Sequence, residues 1–200
     1  MIYCWLKGCD TMLGRCFWCN LKNPRYIAYH DEEWGKLNLD DGYLYEMLLL
    51  ECQQAGLSWE CVLNKREAYR EAFDGFDVRK IASYGEEKIA LLSENPSIIR
   101  CQRKLRATVK NAGVFLVIQR EFTSFSAYLL SFFESYPLYE IGKTTSPISD
   151  ALSRDLKRRG MAYVGSVTTY SYLQAVGLIV SHEKDCFLYQ APKGINYGTL

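Results

Sequence analysis

No long apolar run occurs in the 200 residues, so no transmembrane span is expected. The opening stretch, MIYCWLKGCDTML, has neither a basic start nor an apolar core, so a secretory signal is not expected either. Net charge is only +1, and no strong field announces nucleic acid. A nucleic-acid enzyme stays open if basic residues gather on one face. Period-two alternation is missing, which removes the parallel-sheet classes, and no glycine–lysine motif exists for a phosphate-cradling loop. Internal repeats and low-complexity tracts are absent. Histidine is scarce, with two residues, His30 and His182, near opposite ends.

What is present reads as one mostly helical domain with a sizeable core, since 48% of the residues are hydrophobic. Without an export signal, the eight cysteines (4, 9, 16, 19, 52, 61, 101, 186) are read as reduced core thiols or metal ligands. Residues 42–56 are apolar nearly all round and close at Gly56, the pattern of a central buried helix. Ser58 is placed to cap a helix over 59–73. Further helical segments are expected over 85–94, 98–121, 125–136 and 150–160. A turn-rich connection spans 137–149, and a last helix within 171–186 gives way to a polar segment.

His182 and Cys186 stand one helical turn apart, and Cys16 and His30 form a second pair. Together they make a closed Cys₂His₂ set suited to structural zinc, clipping the two ends of the chain together. Taken singly, each histidine would be an ordinary satisfied residue. A rival set, Cys4, Cys9, Cys16 and Cys19, follows part of an iron–sulfur spacing but has Arg25 where that spacing needs a cysteine. It ranks second.

Glu51 lies in the apolar pattern of 42–56, on the face of Leu44, Met47, Leu48 and Ala55. Burying a lone carboxylate is too costly to be accidental. It either pairs with an Arg or Lys, lies at a wet edge, or serves a ligand. Trp34 is read as core. QRKLR (102–106), with Arg100 and Lys110, reads as a solvated helix face.

Three segments carry a resemblance: RCFWCNLKNPRYIAYHDEEWG from Arg15, LYEMLLLECQQAGLSWECVLNKREAYREAF from Leu44, and KRRGMAYVGSVTTYSYLQAVGLIVSH from Lys157. In this order they closely resemble the bacterial 3-methyladenine DNA glycosylase I family (Tag), from Arg15 to about Cys186. The resemblance implies an all-α, helix-hairpin-helix glycosylase fold with a zinc-binding annex made from both chain ends. It divides the chain into an extension (1–14), one glycosylase domain (15–186) and a tail (187–200). Within the domain, the annex takes about 15–40 and 150–186 around a helical core of about 41–149.

The resemblance also places zinc on Cys16, His30, His182 and Cys186, the set that spacing favours. It implies base binding by Glu51, Trp59 and Tyr29, with Trp18, Tyr26 and Ser171 nearby. Gly56 and Leu57 would occupy the lesion gap. The QRKLR side chains would anchor phosphates, as would Ser97 and Arg100 beside the hairpin. At that hairpin Pro96-Ser97 replaces the family's Ala-Gly, and Pro96 has no N–H to offer a phosphate.

The implied activity is monofunctional hydrolysis of the C1′–N9 bond of 3-methyladenine in alkylated double-stranded DNA, releasing the free base. An N3-methylated adenine is a cation. A carboxylate at Glu51 would accept from its exocyclic amine, while the Trp59 indole faces the ring, a contact of about 2 kcal/mol when desolvated. A cytoplasmic, nucleoid-associated monomer with no membrane partner is expected. The competing reading is a non-enzymatic, zinc-stabilised helical module that binds nucleic acid or protein.

Overall fold

A computed structural model describes residues 14–190. The expected extension lies outside the described residues except for Gly14, as does the tail beyond 190. The centre is α2 (Asp41–Gln54), in which every residue from Leu44 to Gln53 is buried. Neighbours surround it on all sides, so its apolar residues need no stripe. The Asp40 carboxylate accepts from the Tyr43 amide at 2.9 Å and starts the helix. Asp41 reaches outward, accepting from the amides of Phe125 (2.8 Å) and Ser126 (2.9 Å). It thereby fixes the start of α8 (Phe125–Leu130) against the central helix.

Before α2 come the short α1 (Pro24–Ala28) and a π-helical turn, Tyr29–Glu33. After it come α3 (Trp59–Leu63), α4 (Arg66–Ala72), α5 (Val78–Ala82), α6 (Glu86–Glu94) and the long α7 (Gln102–Phe122). Beyond α8, α9 (Pro147–Arg158) begins with a reciprocal Ser146–Ser149 capping box and Pro147, and packs on α10 (Ser166–Ala175).

The single helix expected over 59–73 is divided at Asn64–Lys65. The Asn64 carbonyl accepts from Arg25 at 2.9 Å and its side chain from Asn23 at 3.0 Å, so tertiary partners claim the break. The helix expected from residue 98 starts at Gln102 instead. Ile98 is buried, and the Ile99 amide donates to the Tyr69 hydroxyl at 3.2 Å, which pins both residues in the turn between α6 and α7. The last expected helix ends at Ala175.

The chain also forms a parallel pair that sequence alternation could not reveal, because each strand has two residues: β1 (Leu138–Tyr139) and β2 (Ile179–Val180). It ties the loop after β1 to the segment that carries His182. The first and last stretches of the described residues meet as well, since the Phe187 amide donates to the Gly14 carbonyl at 2.8 Å. Among the described residues, no helix is long and apolar enough to cross a membrane.

Gly177 makes the crossing between these ends possible. Its φ is +77°, and a Cβ there would lie 2.2 Å from the Lys36 carbonyl carbon and 2.3 Å from the Leu37 nitrogen. Both obstacles are backbone. Gly177→Ala is therefore expected to destabilise the fold by about 2 kcal/mol or more, from left-handed strain plus the clash. Urea unfolding against the parent checks this.

Candidate active site and metal centre

A cavity of about 400 Å³ opens beside α2. Its walls are aromatic: Trp18, Tyr26, Tyr29, Trp34 and Trp59 all line it. Tyr29 sits on the π-helical turn and Trp59 opens α3, where Ser58 accepts from the Cys61 amide as the helix cap. Their ring centroids are 5.1 Å apart. Trp18 packs on Tyr26 at 5.5 Å and edge-on to Trp34 at 4.7 Å.

Glu51 reaches this cavity from α2 with 3% of its surface exposed, and among the described residues its Oε2 has no hydrogen-bond partner and no Arg or Lys pairs with it, against the alternative of a cationic partner. The contrast with Glu46 on the same helix is direct. Glu46 is bracketed by Arg66 (2.7 Å) and Arg70 (2.8 Å), whereas burial alone acts on Glu51 and pushes its carboxyl up to about 8. The Trp59 indole N–H is likewise buried without a partner. Two orphaned polar groups facing one aromatic cavity are what a polar, flat ligand would satisfy.

Every residue expected to bind a base (Glu51, Tyr29, Trp59, Trp18, Tyr26 and Ser171) lines this cavity. Trp34, read from sequence as core, lines it too. Gln54, Gln174 and the loop Gly142–Thr144 also line it and were not foreseen. Gln54 stands one helical turn beyond Glu51, so spacing could have found it. The loop carries no such signal, and β1 delivers it.

Leu57 is 42% exposed on the loop between α2 and α3, next to Gly56 at φ +78°. Ser97 and Arg100 are exposed on the turn between α6 and α7, apart from the cavity. The Ser97 amide is already taken by the Asn95 side chain at 2.9 Å. With Pro96 lacking an N–H, the hydroxyl of Ser97 and the guanidinium of Arg100 are the groups this turn presents. Lys104 corrects the phosphate-anchor expectation, because it is buried, while Arg106 is exposed and pairs with Glu86 at 2.8 Å.

Below the cavity, Cys16, His30, His182 and Cys186 are all buried, with their ligand atoms within 4.8 Å of one another. Sulfur-to-nitrogen distances are 3.6 Å (Cys16–His182), 3.5 Å (Cys186–His182) and 3.5 Å (Cys186–His30). The edge of a tetrahedron built on ordinary Zn–S and Zn–N bonds is about 3.6 Å.

The surrounding hydrogen bonds fit the same use. His30 Nδ1 donates to Asp31 at 2.7 Å, so Nε2 is the acceptor on the cluster side, where the Cys16 amide also donates to it at 3.3 Å. His182 Nε2 donates to the Trp34 carbonyl at 3.3 Å, leaving Nδ1. The amides of Glu183 and Leu188 each donate to a cysteine sulfur at 3.4 Å. Burial, with His30 adding to it, pulls His182 down to about 4, so its ring is neutral and can ligate. The cluster therefore fits a tetrahedral cation. Of the rival set, Cys16 belongs to this cluster, and the Cys19 thiol donates to the Tyr26 carbonyl. Cys4 and Cys9 lie outside the described residues.

Comparison with known proteins shows the family. The methyladenine glycosylase family model matches residues 18–189. The Escherichia coli (strain K12) DNA-3-methyladenine glycosylase 1 is 42% identical over 188 residues, covering 90% of this chain and 100% of that protein. The Haemophilus influenzae DNA-3-methyladenine glycosylase is 41% identical over 181 residues, covering 88% and 97%. A crystal structure of 3-methyladenine DNA glycosylase I superposes with a TM-score of 0.85 at 42% identity, covering 88% of this chain and 100% of that one. A Staphylococcus aureus 3-methyladenine DNA glycosylase I, solved for the basis of its 3-methyladenine recognition, gives a TM-score of 0.82 at 38% identity, with 86% and 96% covered.

The orphaned carboxylate has a consequence for stability. The unfolded chain ionises Glu51 near the ordinary value of about 4.3, while the folded protein holds its proton up to about 8. Ionisation therefore favours unfolding. Glu51→Gln should match the parent near pH 4, gain on it as pH rises to about 8, and keep a constant lead above that. Denaturant titrations at a series of pH values measure the difference.

Proposed function

The chain belongs to the methyladenine glycosylase family, and from that premise we propose that it excises 3-methyladenine from alkylated DNA as a monofunctional glycosylase. The reading is carried by Glu51, a carboxylate buried in an aromatic cavity with no cation of its own. N3-methylation gives adenine a positive charge. Glu51 is costly to ionise in the empty cavity and favourable to ionise beside such a base, so the binding energy goes to the damaged ring. The aromatic faces of Trp59 and Tyr29 suit an electron-poor purine. Guanine and unmodified adenine lack the charge, and their ionised partner would go uncompensated.

Methylation has already made the base a good leaving group. The protein then needs to extrude the nucleotide, at a few kcal/mol, and to hold it while the C1′–N9 bonding pair leaves with N9: the base departs neutral, the positive charge passes to the sugar, and water adds at C1′ and gives up a proton to solvent. Glu51 acts here as an electrostatic and recognition group. Tyr26, Trp18 and Ser171 complete the walls. Leu57, at the exposed tip beside Gly56, enters the gap left in double-stranded DNA. The α6–turn–α7 unit serves as the helix-hairpin-helix element, with Ser97 and Arg100 on backbone phosphate. The protein acts as a monomer on bacterial chromosomal DNA. A non-enzymatic binding module would gain nothing from an orphaned acid in a pocket.

Cys16, His30, His182 and Cys186 hold one zinc ion as a closed structural site, joining the annex (residues about 15–40 and 150–186) around the helical core. The fit of sulfur-to-nitrogen distances to a tetrahedral edge supports this. Zinc there supplies cross-linking, and the closed ligand set leaves it no part in hydrolysis. Mass spectrometry under native conditions is expected to find about one zinc per chain. His182→Ala should lose the metal and melt at lower temperature, and a metal-free parent of unchanged stability would remove the clip.

The activity is checked by incubating folded, zinc-loaded protein with alkylated DNA and separating the released bases. Free 3-methyladenine is the expected product, and Glu51→Gln should slow its release by about 10²-fold, the size of one lost electrostatic partner. No release from folded protein sinks the reading. An unslowed Glu51→Gln variant removes Glu51 from it.

A further inference from the structure

Lys104 is a buried cation whose bonds go to main-chain carbonyls. It stands on the first turn of α7, 8% exposed, and its Nζ donates to the carbonyls of Gln53 at 2.7 Å and Ala55 at 2.6 Å. These are carbonyls at the end of α2, where the helix leaves acceptors unsatisfied and its dipole is negative. The loop they open into, Gly56–Leu57, is otherwise held by one turn bond, the Leu57 amide donating to the Gln54 carbonyl at 2.6 Å. Gly56 is in the left-handed region, with no atom within 4 Å of where a Cβ would be.

A buried hydrogen-bond chain joins the same helix end to the α6–α7 turn. The Ile99 amide donates to the Tyr69 hydroxyl (3.2 Å), which donates to Gln53 Oε1 (3.3 Å). Gln53 Nε2 donates to Thr108 (2.9 Å), and Thr108 donates to the Lys104 carbonyl (3.0 Å). Ile99 adjoins Arg100 in sequence. Gln53 stands between Glu51 and Gly56 on α2. The phosphate-facing turn and the gap-facing loop are therefore cross-braced through the first two turns of α7.

We propose that Lys104 is a positioning residue: its two bonds to the end of α2 hold the Gly56–Leu57 loop in the conformation that enters duplex DNA, locked in register with the Ser97–Arg100 turn. It touches neither base nor reacting bond. Phosphate engagement at the turn thereby fixes where Leu57 goes. The inference rests on the proposed glycosylase reading, in which Leu57 fills the lesion gap.

The test compares single-turnover release of 3-methyladenine from duplex and single-stranded alkylated oligonucleotides by the parent, Lys104→Met, Leu57→Ala and the double variant. On duplex, Lys104→Met should be slower by about tenfold or more, the worth of a charge-assisted hydrogen bond. On single strands, which have no gap to fill, it should stay within about twofold, as should binding of free 3-methyladenine followed by tryptophan fluorescence. The double variant should be no slower than Leu57→Ala alone, and Lys104→Arg should recover part of the duplex rate. If Lys104→Met does not fold, Lys104→Gln, which keeps a polar donor, carries the comparison.

Unchanged duplex excision overturns the proposal. So does equal loss on both substrates with additive variants, which would make Lys104 a general support of the fold. If the parent releases no base from either substrate, the glycosylase reading itself fails, and this one with it.

Discussion

A carboxylate held out of water without a cation governs this molecule. Glu51 cannot be ionised cheaply where α2 places it, and its neighbours leave it that way. Arg66 and Arg70 spend their charge on Glu46, and the residues around Glu51 are aromatic. Such an arrangement subtracts from stability while the cavity is empty and returns that cost when a cationic ring arrives. On the proposed reading, specificity for a damaged base and strain in the resting protein are one effect, seen with and without ligand.

Keeping that cavity open requires walls that do not collapse onto the acid. The metal cluster sits directly behind two of them. Trp34 stands edge-on to His182 at 4.7 Å, and Trp18 lies 5.2 Å from His30. The Trp34 carbonyl also accepts from the ring of His182. A metal held by this cluster, as proposed above, would also fix the orientation of the two indoles. The small β1–β2 pair delivers the Gly142–Thr144 loop to the same cavity.

Much of this was legible in the residues. Glu51 stood out because a carboxylate broke an apolar helix, and the metal cluster because scarce histidines stood in register with cysteines. Both signals are local, and the physics that makes them costly is local too. The family resemblance added the roles of Tyr29, Trp59, Trp18, Tyr26 and Ser171, which spacing alone does not assign. What stayed hidden depends on distant partners. Asn64 breaks a helix because Arg25 and Asn23, far back in the chain, claim its groups. Trp34 looked like core and is core on one face, yet its other face is a wall. Lys104 looked like a surface cation and is a buried brace, since nothing in QRKLR reveals that a helix end waits above it.

The cavity is lined from Phe17 at one extreme of the chain to Glu183 at the other. Glu51 and the indoles of Trp18, Trp34 and Trp59 come from the first third of the sequence, and Ser171, Gln174, Ser181 and Glu183 come from far downstream. A chain cut short before Ser171 would therefore carry the acid and its indoles with one wall of the chamber missing.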